Sequence, residues 1–213
     1  MNPLKLFWLF FTPTKAWREL MQSPPSIHQL YLLHVLPFSL IPPVMIYIAG
    51  NRHTTFFLDL LPGNKLVIVA IAFFIVQLVV VPVMAMIIRQ LGEIIDIHPS
   101  YKDAFIIAAI APTPMWMAPV FLIVPDILVN IAITSWAMMA SAGLVYYGIP
   151  AVFKLGNESQ ETGAVLIEQG QSLLLFGGIL TAAVIAWGFL MVCTLVVWGA
   201  VQNLQFAAGP IIH

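Results

Sequence analysis

The five histidines are the side chains best suited to acid–base or metal chemistry, and their spacing argues against a shared site. His28 and His34 are six residues apart, so they do not share a helix face, and no HExxH pattern occurs. His53 and His98 fall in connections on opposite sides of the predicted membrane domain. A GxSxG motif and paired intramembrane aspartates are also missing from the sequence. We therefore expect no catalytic residue, no metal and no cofactor.

Among the polar side chains inside the apolar segments, two are candidate functional or ligand-contact residues. His34 is the ionisable one, and an ionisable group at membrane depth is a functional candidate by default. It could contact a proton or a substrate, or it could be a neutral imidazole bonded to a backbone carbonyl, which is the interpretation we favour. Gln77 is the polar side chain of the most uniformly apolar segment and should find a partner on a neighbouring helix.

The stretch from Tyr101 to Asp126 is apolar enough for lipid yet carries Pro112, Pro114 and Pro119 near its middle. Each proline lacks an N–H group and crowds the carbonyl four residues earlier, so that carbonyl loses its helical partner. An unpaired carbonyl in hydrocarbon costs several kcal/mol, as other buried polar groups without a partner do. We expect this segment to be surrounded by the other helices, with Pro112, Pro114 and Trp116 as candidate contacts.

Lys102 and Asp103 belong to the densest group of charges in the chain, together with Arg89, Glu93 and Asp96. The group flanks the start of the proline-rich segment. It could form a mouth that attracts a headgroup or a partner, or it could simply anchor the ends of the spans, which is the interpretation we favour.

The composition places the chain in a membrane. Hydrophobic residues make up 61% of the 213 residues and charged residues 8%, with a mean hydropathy of +0.99. Soluble domains carry about a quarter charged residues. A formal net charge of -1 provides no basic surface for nucleic acid. The single cysteine, Cys193, excludes an intrachain disulfide.

Five apolar segments are long enough to cross a bilayer, which takes about 20 helical residues. They run over residues 29–50, 66–88, 104–124, 127–149 and 172–198. The connections are too short to hold a soluble domain. The sequence therefore predicts an all-α, polytopic membrane protein with five transmembrane helices.

Three regions are predicted along the chain. Residues 1–28 form an N-terminal amphipathic segment, residues 29–201 the five-span domain, and residues 202–213 a C-terminal tail. In the first region a helix should start at Pro13, with Trp17 and Leu20 on its apolar face. That face could lie in the membrane interface or pack onto the protein itself.

The lysines and arginines predict the orientation. Six of them fall on the N-terminal side of five spans and two on the other. The six are Lys5, Lys15, Arg18, Arg89, Lys102 and Lys154, and the two are Arg52 and Lys65. The N-terminus should therefore be cytoplasmic and the C-terminus outside.

Small residues recur at helical spacing in the fifth segment, at Gly178, Ala182 and Ala186. In lipid such residues allow helices to approach closely. They could pack within the chain, which is the simpler interpretation, or join two copies into a homo-oligomer.

The chain resembles the Yip family (Ypt/Rab-interacting proteins) of membrane proteins, in its bacterial branch. The likeness rests on Pro13 with Trp17, on APTP from Ala111 to Pro114, on the turn at Pro125, and on YYGIP ending at Pro150. It implies five spans with a cytoplasmic N-terminus. Eukaryotic members are linked to small GTPases through a long cytosolic N-terminal region; here the first span is expected by Gln29, so that role is not carried over.

These observations predict a non-enzymatic protein of the bacterial inner membrane that binds or organises membrane lipids or other membrane proteins. The alternative is a transporter or lipid-translocating protein that uses the proline-broken first and third spans. An intramembrane enzyme is a third class, and it would need a paired ionisable site that the sequence does not show.

Overall fold

A computed structural model describes residues 12–52, 63–155 and 162–207, and these residues are helical apart from short turns. The α-helices are numbered in chain order. Their bounds are α1 Pro13–Gln22, α2 Ile27–Leu30, α3 Leu36–Ser39, α4 Ile41–Arg52, α5 Gly63–Ile94, α6 Tyr101–Ile110, α7 Thr113–Met117, α8 Ile127–Val152 and α9 Thr162–Ala207. A π-helical turn, Tyr31–Val35, joins α2 to α3, and a 3₁₀-helical segment, Ala118–Ile123, follows α7.

Five stretches are long and apolar enough to cross a membrane, which confirms the predicted fold class. They are Ile27–Gly50, Lys65–Ile94, Tyr101–Ile123, Ile127–Val152 and Gln169–Val201. We call them the first to the fifth span. Each predicted segment lies within its span to within one residue, because a continuous apolar run is long only where it must match the bilayer.

The first and third spans are interrupted, as the prolines predict. The third span turns at Ala111 and Pro112 and resumes as a helix at Thr113. The first span instead contains the π-helical turn, in which an extra residue is accommodated, and such turns occur often at functional positions. Pro82 and Pro150 lie inside otherwise continuous helices.

The third span lies at the centre of the bundle. Half of its most apolar stretch is buried, compared with 11% for the fourth and fifth spans. Every residue of α6 from Ala104 to Ile110 is buried. The predicted shielding of this segment is thus seen in α6 and α7, whereas side chains of the following 3₁₀ segment, such as Phe121 and Ile123, are exposed.

The N-terminal helix α1 starts at Pro13 as predicted and packs against the fourth span. Its apolar residues Ala16, Trp17 and Leu20 are buried, whereas Lys15 and Glu19 face outward and form an ion pair of 3.9 Å. A Cβ atom added to Gly148 would lie 2.9 Å from the Trp17 ring, so only glycine admits that ring. The protein itself therefore covers the apolar face of α1.

Helix α9 continues to Ala207, so the first residues of the predicted 202–213 tail are helical. Other predictions fall on residues outside the described ranges. They concern the first eleven residues, His53 and the last six residues of the tail.

Candidate functional site

His34 and Thr113 form a buried polar contact between the first and third spans. The Nε2 atom of His34 lies 2.8 Å from the Thr113 hydroxyl, and that hydroxyl donates to the carbonyl of Ile110 at 2.6 Å. Because a hydroxyl has a single proton, the shared bond requires that Nε2–H of His34 donates to Thr113. His34 therefore positions Thr113 against the break in the third span.

The Ile110 carbonyl is one of those released by a proline, since Pro114 stands four residues later. Thr113 replaces the missing backbone N–H. The bond expected between His34 and a backbone carbonyl is replaced by a bond to the Thr113 hydroxyl, which in turn binds the released carbonyl. The second ring nitrogen of His34, Nδ1, is buried and has no hydrogen-bond partner among the described residues.

Gln77 connects the first three spans. With its amide oriented to satisfy its surroundings, its nitrogen donates to the Ser39 carbonyl at 2.9 Å and its oxygen accepts from the Trp116 indole at 2.8 Å. The Ser39 carbonyl has also lost its helical partner, because Pro43 occupies the position four residues later. The expectation that Gln77 finds partners on other helices is confirmed.

A third released carbonyl is satisfied by Tyr31, which the sequence did not single out. Its hydroxyl donates at 3.1 Å to the carbonyl of Leu78, and Pro82 is four residues further along. Three prolines thus each release a carbonyl that a side chain then binds. The signal in the sequence is a proline four residues after the acceptor, but the donor comes from a distant part of the chain.

A cavity of about 750 Å³ lies beside the third span, bordered by the second, fourth and fifth spans, and Pro42 of the first span also contributes to its lining. Of the predicted residues, Gln77, Pro112 and Trp116 contribute to its wall, whereas His34 and Pro114 do not. The rest of the lining is mostly apolar, with Asn130, Thr134 and Ser141 on the fourth span as further polar positions. This cavity and the polar contacts beside it form the candidate site.

Some lining side chains of the fourth and fifth spans are exposed on the outer surface of the bundle. They include Met139, Val184 and Trp187. The cavity therefore opens sideways, toward the position of the bilayer. Next to the lining residue Val145, Tyr146 forms an edge-to-face contact with Phe176, with ring centroids 5.5 Å apart, and neither ring belongs to the lining.

Lys102 and Asp103 lie at the start of the third span and do not line the cavity. The backbone N–H of Asp103 donates to the Ser100 hydroxyl at 3.1 Å, and that hydroxyl donates to the Asp103 carboxylate at 2.6 Å, so both residues cap α6. Lys102 donates to the carbonyl of Pro24 at 3.5 Å. Arg89 pairs with Glu93 at 3.0 Å. These contacts support the role of span anchors.

The small-residue face of the fifth span is used inside the chain. A Cβ atom added to Gly178 would lie 3.3 Å from Leu91 on the second span. Ala182 and Ala186 pack against the same core, and Ala186 also borders the cavity. A homo-oligomer through this face would have to displace these contacts. Within the described ranges, no three His, Cys, Asp or Glu residues gather in a way that could hold a metal ion.

Comparison with known proteins identifies the family. The sequence model of the Yip1 domain matches residues 8–167, which is well over half of the chain and ends just before the fifth span. No curated protein and no solved structure matches the chain. The family match, together with five helices of membrane-spanning length, shows that this chain is a multi-span membrane protein of the Yip1 family.

Proposed function

We propose that this Yip1 family protein is a non-enzymatic membrane protein that binds lipid and thereby organises its membrane surroundings. The observation that carries the proposal is the cavity, which is lined mostly by apolar side chains and opens sideways through exposed residues of the fourth and fifth spans. Its volume of about 750 Å³ is within the range of about 300–1,000 Å³ typical of ligand sites. A site with this lining and this opening suits a ligand that is dissolved in the bilayer.

Purification followed by native mass spectrometry tests lipid binding. The protein released from bilayer nanodiscs should retain phospholipid adducts under activation that strips lipid from a membrane protein of similar size without a cavity. Release of the protein free of lipid under the same conditions would count against the proposal.

Lipid translocation between leaflets is the second candidate, and the length of the cavity favours it over ion transport. The lining of the fourth span extends from Asn130 to Val145, about 22 Å at 1.5 Å per residue, of a hydrocarbon core about 30 Å thick. The residues that line the cavity include no Asp, Glu, Lys, Arg or His, so an ion would find no charged side chain there. A fluorescent-lipid exchange assay in liposomes tests translocation, and exchange no faster than in empty vesicles rejects it.

The orientation and the membrane are part of the same proposal. The excess of lysine and arginine on one side supports a cytoplasmic N-terminus in a bacterial inner membrane. A reporter fused after His213 should be active only in a form that works outside the cytoplasm. Fluorescence from a fusion that folds only in the cytoplasm would overturn this orientation.

A further inference from the structure

We infer that the cavity holds one acyl chain of a glycerophospholipid, inserted sideways between the fourth and fifth spans with its ester end toward the turn at Pro125 and Asp126. This inference rests on the proposed lipid binding and names the part of the lipid that is bound.

The cavity has the dimensions of a single chain. Its length of about 22 Å along the fourth span exceeds half of the hydrocarbon core of about 30 Å, which is the depth that the chains of one leaflet occupy. On the fifth span the lining runs from Ile179 to Met191, so both walls extend over a similar depth. At one end the lining stops at Val145 on the fourth span and at Ile179 on the fifth.

The polar groups of the wall give the chain a direction. Asn130 and Thr134 line the cavity near the turn between the third and fourth spans, whereas toward the opposite end Ser141 is the polar lining residue of the fourth span, among Ile88, Ile107 and Val145. Both amide hydrogens of Asn130 are used, because its nitrogen donates to the carbonyls of Val124 and Asp126 at 2.9 and 2.7 Å. The hydroxyl of Thr134 is the donor that remains for an ester carbonyl at this end.

The inner wall of the cavity is held by hydrogen bonds between spans, whereas the wall formed by the fifth span is held in this way at its ends. Trp116 and Gln77, on the inner wall, are fixed by the hydrogen bond between them. The fifth span is fixed at its ends, where Gln171 donates to the Ile95 carbonyl at 2.8 Å and Lys65 donates to the Val201 carbonyl at 3.2 Å. Between these bonds the span borders the cavity through side chains alone. A chain can therefore enter without breaking a bond between spans.

Trp116 provides a direct test, because its side chain lines the cavity yet is only 4% exposed. Bromine atoms quench indole fluorescence at short range. The full-length protein, with every other tryptophan replaced by phenylalanine, is reconstituted into phosphatidylcholine vesicles whose acyl chains carry bromine near the middle. Matched proteins retain only Trp17, which is fully buried elsewhere, or only Trp136, which is 73% exposed. We expect Trp116 to be quenched nearly as strongly as Trp136, and Trp17 to be unaffected.

A variant that fills the cavity completes the test. Ala142→Phe places a ring in the cavity wall, whereas Ala132→Phe places one on the same helix at an exposed position outside the lining. The first should lower Trp116 quenching to the level of Trp17, and the second should leave it unchanged. Emission in unbrominated vesicles and the helical circular dichroism signal verify that both variants fold.

The outcomes separate this inference from the proposed function. If nanodisc-derived protein retains phospholipid but Trp116 is not quenched, lipid binds elsewhere and the assigned cavity is wrong. Quenching that persists in Ala142→Phe also overturns the assignment, because the bromine must then approach from outside the cavity. Loss of all lipid adducts in mass spectrometry instead rejects the proposed function itself.

Discussion

At membrane depth, the polar side chains of the first three spans and those of the last two form different kinds of hydrogen bond. The inter-span bonds of the fifth span, made by Gln171 and Lys65, lie at its ends. In the first three, Tyr31, Gln77 and Thr113 each bind a carbonyl released by a proline, and Gln77 and Tyr31 do so across spans. In the last two, Ser135, Thr181 and Thr194 donate to the carbonyl four residues earlier on their own helix, at 2.8–2.9 Å. The first kind of bond fixes how helices are placed; the second does not.

This difference explains why the cavity borders the fourth and fifth spans. A helix whose polar groups are satisfied internally can be held by packing alone, and its position depends on what fills the space beside it. The first three spans, by contrast, carry polar groups whose partners exist only in one arrangement. The chain therefore combines a specified core with two spans that a lipid can separate.

Of the substitutions considered, Gln77→Leu should lower the free energy of unfolding most. It leaves the Ser39 carbonyl and the Trp116 indole without partners, and each buried orphaned group costs about 1–3 kcal/mol. The free energy of unfolding, measured by steric trapping in mixed micelles, should fall by about 2–4 kcal/mol. A loss no larger than that of a lipid-facing substitution would mean that Gln77 does not join the spans.

Thr113→Val should have the next largest effect. It removes the donor to the Ile110 carbonyl and the acceptor of His34, with a cost of about 1–3 kcal/mol. Thr113→Ser keeps the hydroxyl and should recover most of that stability in the same assay. Equal destabilisation by valine and serine would assign the effect to the lost methyl contacts instead.

Tyr31→Phe should cost about 1 kcal/mol, since its hydroxyl is only partly buried. The sharper measurement is a double-mutant cycle with Pro82→Ala. Alanine restores an N–H that can bond to the Leu78 carbonyl in the helix, so the cost of losing the tyrosine hydroxyl should disappear in that background. If the two changes are additive, the hydroxyl does not compensate for the proline.

Thr181→Ala and Thr194→Ala should change the free energy of unfolding least, by no more than about 0.5 kcal/mol each. Their hydroxyls bond only within their own helix, where the backbone remains satisfied without them. They serve as the matched controls for Gln77 and Thr113. A loss above about 1 kcal/mol, measured in the same micelles, would mean that these hydroxyls also contribute to stability and that the two regions do not differ in this respect.

The sequence predicted the spans and the central place of the third one, because both follow from local properties. Apolar length must match the bilayer, and clustered prolines release carbonyls that lipid cannot satisfy. Asp126, directly before the fourth apolar segment, is a residue type that favours helix N-caps, and its carboxylate accepts from the backbone N–H groups of Leu128 and Val129.

The donors to the released carbonyls could not be predicted in the same way. Tyr31 and Leu78 are 47 residues apart, and only the helix placement brings them together. The π-helical turn around His34 has no signature of its own in the sequence, since its residues would also suit an ordinary helix. The packing of α1 against the fourth span depends on Gly148, which leaves room for the Trp17 ring. A hydropathy pattern does not distinguish this glycine from other small residues.

The proline pairings also bear on the order in which the chain is made. The carbonyl released by Pro43 accepts a hydrogen bond from a side chain of the second span, and the carbonyl released by Pro82 accepts one from the first span. The carbonyl released by Pro114 accepts one from within the third span. Once the third helix has left the insertion machinery, all three defects are repaired. The fourth and fifth helices are therefore not needed to satisfy these three carbonyls.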